Sequence, residues 1–114
     1  YLKKYKNIKF FYKQEVSTTA DFSFVCGTFN NKFDCKINIW KNHIKKILDC
    51  MFKNSKIAFT FNGLTNKVDW KDKNLFYSNP NYWKRYIEKE YGCNVKIFQD
   101  YSLWEWTIVA YKNI

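Results

Sequence analysis

The chain has 114 residues, 46% of them apolar and 22% aromatic, with a formal net charge of +10. That length sets one modest domain around one core, and the apolar content excludes a disordered tail. No apolar run reaches the ~18 to 20 residues needed to cross a bilayer, and no basic start, apolar middle and small-residue exit marks a signal peptide.

The first segment with a structural signal is "NIKFFY" (7–12), an aromatic and β-branched run that reads as a short strand. A polar connection, "KQEVSTTAD" (13–21), follows. "FSFVC" (22–26) is near-continuously apolar, as a strand covered on both faces would be. It breaks abruptly into Gly27, Thr28, Phe29 and Asn30. Beyond Cys35 the period changes: Ile37, Trp40, Ile44, Ile47, Leu48, Met51 and Phe52 recur at three and four residues, which predicts an amphipathic helix over 36–53. "KIAFTF" (56–61) is a further strand.

Residues 62–79 show no clear period. A structureless stretch longer than ~12 to 15 residues is usually functional or disordered, and Leu64, Val68, Trp70, Leu75, Phe76 and Tyr77 make this one too apolar for a linker. A second helix is predicted over 80–91, capped by Asn79, opened by Pro80 and stopped by Gly92. "NVKIFQ" (94–99) and "LWEWTIVAY" (103–111) lie so close that only an antiparallel hairpin joins them. The expected fold is therefore a single α/β domain over 1–114, with a mostly parallel sheet of up to five strands ending in an antiparallel hairpin.

The charge invites a nucleic-acid partner, but of the 20 Lys and Arg residues only Arg85 is an arginine. Lysine lacks the guanidinium fork with which bases and phosphates are read. The alternative function is a non-catalytic basic module for RNA or single-stranded DNA. Most aromatics here already fall on strand alternations and helix stripes, where core packing explains them, so nucleic acid is the less favoured partner. Cys26, Cys35, Cys50 and Cys93 form no C-x-x-C pair, and with the lone His43 they make no zinc set. Cys26 and Cys50 sit in apolar patterns as small hydrophobes. A reducing cytoplasm is the simplest setting.

Four motifs then come in order: Asp21-x-x-x-Val25-Cys26-Gly27-x-Phe29-Asn30, "AFTFNGLT", "YSNP" and "QDYSLWEWTIVAYK". Together they resemble the later part of a class I S-adenosylmethionine-dependent methyltransferase, within a bacterial group with strand ends S-G-x-F-N and F-N-x-L. The resemblance covers essentially the whole chain. Cys26 stands where that group has serine, and Asn79 where it has aspartate. The glycine-rich cofactor loop is missing: Gly27, Gly63 and Gly92 are the only glycines, and they form no G-x-G pair.

The resemblance implies a partial three-layer Rossmann-like fold with sheet order 3-2-1-4-5-7-6, of which this chain is the carboxyl-terminal part. "FSFVC" would then be an exposed apolar edge unless a missing amino-terminal half, or another chain, completes the sheet. It implies methyl transfer from S-adenosyl-L-methionine to an oxygen or nitrogen of a small-molecule, sugar-like acceptor. The isolated chain is expected to bind that cofactor weakly or not at all and to be inactive alone.

By the same resemblance, Cys26, Gly27, Thr28, Phe29 and Asn30 form the cofactor-facing turn. Gly27 lets the backbone pass close, Phe29 walls the pocket, and Asn30 hydrogen-bonds near the transferring methyl; the alternative is an ordinary turn with Phe29 in the core. Glu15 and Val16 face the adenine, or Glu15 is a solvated loop carboxylate. Asn62 faces the acceptor or the donor, or is a turn-forming amide. Trp70, Phe76 and Tyr77 cover the acceptor, or pin the long loop to the core. Asp100, Glu105 and Trp106 match the family's tail, or are a hairpin turn and an interior aromatic. No catalytic base is identified, and His43 is a surface or half-buried helix residue.

Overall fold

The computed structural model describes residues 18–99 and 104–113. The "NIKFFY" segment, Glu15, Val16 and Asp100 lie outside the described residues. In order the elements are β1 (Ala20–Val25), α1 (Ile37–Asn54), β2 (Ser55–Thr65), β3 (Tyr77–Ser78), α2 (Pro80–Tyr91), β4 (Asn94–Phe98) and β5 (Glu105–Tyr111).

Both helices form where the apolar stripes place them. In α1 the fully buried positions are Ile44, Leu48 and Met51, spaced four and three residues apart on one face. α2 opens as its punctuation requires. The Asn79 side chain accepts from the Asn81 amide, Pro80 fills the first turn, and Gly92 ends the helix at φ +65, a left-handed position that glycine takes at least cost.

The sheet runs β1-β2-β5-β4, with the short β3 beside β2. β1 and β2 are parallel, whereas β2 with β5 and β4 with β5 are antiparallel. Four of the five strands therefore point the same way and β5 alone runs against them, as expected of a mostly parallel sheet closed by an antiparallel hairpin that inserts β5 directly against β2. The strand order is compatible with the 4-5-7-6 portion of the order that the resemblance implies.

Side-chain alternation decides which sheet face is covered. Phe59, Phe61, Trp106, Ile108, Ala110 and Val95 point into one core that both helices share, through Ile44, Leu48 and Met51 of α1 and Trp83 and Ile87 of α2. Edge-to-face pairs such as Phe61–Trp106, with centroids 5.8 Å apart, give that core its specific geometry. Cys93 is buried at its margin, and burial pushes its thiol up from the ordinary range, with the Lys112 charge opposing. The other face carries Phe22, Phe24, Thr60, Asn62, Phe98 and Tyr111.

Three expectations need correction. β1 is not covered on both faces: Phe22 and Phe24 are 64% and 77% exposed, because both helices pack on the opposite face and β1 pairs only with β2 among the described residues. Among the described residues β1 is thus an edge strand with exposed apolar side chains. Residues 62–79 are not all loop, since β2 continues through Thr65, held by β5, and Tyr77–Ser78 pairs with Leu64–Thr65. Cys26 is exposed rather than a core hydrophobe, since it lies just past the end of β1.

Phe24→Ser should therefore change folding stability by less than about 1 kcal/mol, the span of strand propensity. It should also reduce self-association, because an exposed apolar edge is an aggregation template. Thermal melting and light scattering check the two halves. A loss of several kcal/mol would show that Phe24 is covered after all.

Candidate functional site

β1 and β3 lie on the same flank of β2, one after the other: Val25 pairs with Phe61, and Tyr77 pairs with Leu64. Between them, beside Asn62 and Gly63, that flank of β2 has no strand partner among the described residues. Residues 26–30 leave the sheet there, at the carboxyl ends of the parallel strands, where open α/β sheets bind their ligands.

The break at Gly27 is structural and specific. Gly27 sits at φ +71, and a Cβ added to it would meet nothing within 4 Å. Its conformation favours glycine, and the space beside it is open. The Gly27 amide donates to Asn62 Oδ1 at 2.7 Å, and Asn62 Nδ2 donates to Cys26 Sγ at 3.5 Å. Asn62 is therefore not a turn residue. It stands inside β2 and clasps the departing β1 loop.

Asn30 Nδ2 donates to Glu105 Oε1 at 3.5 Å, while Asn30 Oδ1 is buried with no hydrogen-bond partner among the described residues. The Glu105 acceptor fixes which way the amide points. A buried carbonyl oxygen without a donor is uncommon and calls for a ligand or water to complete it. Glu105, at the start of β5 opposite Leu64, supplies a second acceptor nearby.

Phe29 takes the other course open to it. It is 3% exposed and meets Phe61 edge-to-face at 5.8 Å, while its carbonyl accepts from Trp40 Nε1. It lines, with Gly63, Phe76 and Trp106, a close-packed interior seam with no room for a water-sized molecule. Phe29 thus supports the turn from beneath, and Thr28 is exposed on it.

The two long loops are locked together over this end. Asn31 bridges Leu75, Lys32 N donates to Asn74 O and Phe76 N to Asn30 O, and Lys32 Nζ donates to Lys73 O at 2.8 Å. Phe76 is buried and pins the loop. Tyr77 is half-buried, its hydroxyl accepting from the Asp72 amide. Trp70 stands free at 75% exposure. Trp106 is fully buried, its Nε1 donating to Ser78 O, so it is a core residue. His43 is exposed beside Trp40, with ring centroids 5.0 Å apart. Among the described residues no cluster of His, Cys, Asp or Glu is placed to hold a metal, and no helix is long and apolar enough to cross a membrane.

The chain is similar to the "Putative methyltransferase Rv1506c" of Mycobacterium tuberculosis, with 30% identity over 108 residues. The match takes in 93% of this chain but 65% of the relative, so the chain spans just under two thirds of the relative's length. This supports a methyltransferase relationship. No protein family and no solved structure matches the chain.

The clasp between Asn62 and Gly27, and the pairing of Asn30 with Glu105, carried no sequence signal of their own. Each joins residues at least 35 positions apart, and only the strand register brings them together.

Proposed function

We propose that this chain is the carboxyl-terminal part of a class I methyltransferase of Rossmann-like fold, which transfers a methyl group from S-adenosyl-L-methionine to an oxygen or nitrogen of a small-molecule acceptor. The observation that carries this is the clasp at the carboxyl ends of β1 and β2. Gly27 and Asn62 belong to two of the motifs, and they meet at 2.7 Å beside open space. The strand order and the similarity to a methyltransferase-named relative support the same conclusion.

The residues present fit one side of such a cofactor. Gly27 leaves room for it, and Asn30 Oδ1 is an acceptor awaiting a donor. When bound, the cofactor supplies a methyl group on a sulfonium, an activated carbon that needs neither metal nor covalent intermediate. The protein's contribution is then to hold donor and acceptor in line and keep water out. Gly27, Thr28 and Asn30 hold the cofactor side, with Cys26 fixed by Asn62. Glu105 and Asn30 orient a hydroxyl or amine of the acceptor, and Trp70 and Tyr77 flank its entry.

The exposed flank of β1 is the proposed junction with an amino-terminal half or a second chain that completes the sheet and brings the glycine-rich loop. Calorimetric titration of S-adenosylmethionine tests this. The 114-residue chain should bind weakly or not at all, and supplying the part of the relative it does not match should restore binding.

A further inference from the structure

Three exposed aromatic side chains stand on the segments that meet at the carboxyl end of β1 and β2. Phe33 is 66% exposed, and Trp70 and Trp104 are each 75% exposed. Phe33 lies on the turn whose Lys32 is bonded to Asn74 and Lys73. Trp70 lies on the facing loop, and the Trp104 carbonyl accepts from the amide of Thr65, the last residue of β2. Neither tryptophan meets another ring or a cation among the described residues.

Exposed lysines flank these rings: Lys36 after Phe33, and Lys67, Lys71 and Lys73 around Trp70. Lys32 is not available, since its ammonium already serves two backbone carbonyls. Exposed Asp34 and Asp69 alternate with the lysines. A long phosphate chain crossing this rim would meet both signs of charge, whereas one short phosphate group fits between like charges. Next to Trp104 in the chain, the half-buried Glu105, which takes a hydrogen bond from Asn30 Nδ2, offers an acceptor for N–H or O–H donors.

Stacking surface, exposed cations and an acceptor carboxylate together describe one ligand chemistry. We propose that this rim binds the nucleotide part of a nucleotide-linked acceptor, with the base on Trp70 or Trp104, the phosphates on the loop lysines, and the sugar directed to Glu105. Its role as acceptor rests on the methyl-transfer function proposed above; its binding to the rim does not.

The test is quenching of tryptophan fluorescence of the 114-residue chain by UDP, uridine and inorganic phosphate at low salt, repeated on Trp70→Ala and Trp104→Ala. UDP should bind at least about fivefold more tightly than uridine or phosphate, and one of the two substitutions should weaken it by a similar factor at an unchanged melting temperature. Phosphate binding as tightly as UDP would reduce the rim to its lysines and overturn the proposal. So would UDP affinity indifferent to both substitutions. An oligouridylate binding ~100-fold more tightly than UDP and surviving ~0.2 M salt would make RNA the partner instead. S-adenosylmethionine is titrated separately, so methyl transfer fails on that titration and nucleotide binding on this one.

Discussion

Gly63→Val should cost about 2 to 4 kcal/mol of folding stability, the largest loss expected from a single added side chain here. The position lies inside β2, where a Cβ would fall 2.3 Å from Cζ2 of Trp106 and within 2.8 Å of two further ring atoms. The ring cannot move aside freely. It is fully buried, packs edge-to-face on Phe61, and holds Ser78 O through its Nε1 at 3.0 Å. Overpacking a filled core typically costs ~1 to 3 kcal/mol, and losing the buried hydrogen bond adds about 1 more. In a domain of this size that lowers the melting temperature by roughly 10 °C or more. Trp106→Leu removes the obstacle, so adding Gly63→Val to it should cost much less than on the native background. Melting of the two single variants and the double variant measures this. Full additivity would show that the ring and the glycine do not meet.

Asn62→Leu should leave the fold intact and free the turn after β1. It removes the acceptor of the Gly27 amide and the donor to Cys26 Sγ together. The Gly27 amide should then exchange with solvent about tenfold faster, the equivalent of ~1.4 kcal/mol for one lost hydrogen bond. Asn62→Asp keeps the acceptor oxygen and should keep most of the protection. Amide exchange followed by NMR or mass spectrometry separates the two. Equal exchange in native protein and Asn62→Leu would mean that the clasp does not hold the turn.

How much of this was legible depended on whether a residue's signal was local. α2 could be placed because Asn79, Pro80 and Gly92 act on their own turns, and α1 because its stripe repeats over several turns. Asn62-Gly63 reads locally as a turn. Pairing with Thr107 and Trp106 of β5 overrides that propensity and keeps both in the strand, and Gly63 is there for the Trp106 ring rather than for a bend. The apolar run of β1 signalled burial, yet burial depends on what lies across the sheet, and both helices pack on the other face. Gly27 and Asn30 were legible as a candidate turn through their motif. Their partners Asn62 and Glu105 were fixed by register between distant strands, which no spacing within the chain encodes.

The central claim is that the carboxyl ends of β1 and β2 form one side of a methyl-donor site whose other side lies outside the described residues. Calorimetric titration of S-adenosylmethionine tests it most directly, first into the 114-residue chain, then into the chain joined to the part of the Mycobacterium tuberculosis relative that it does not match. No saturable binding below ~1 mM is expected for the chain alone, and micromolar binding, stronger by at least ~4 kcal/mol, for the joined protein. Micromolar binding by the isolated chain, or none by the folded, joined protein, would contradict it.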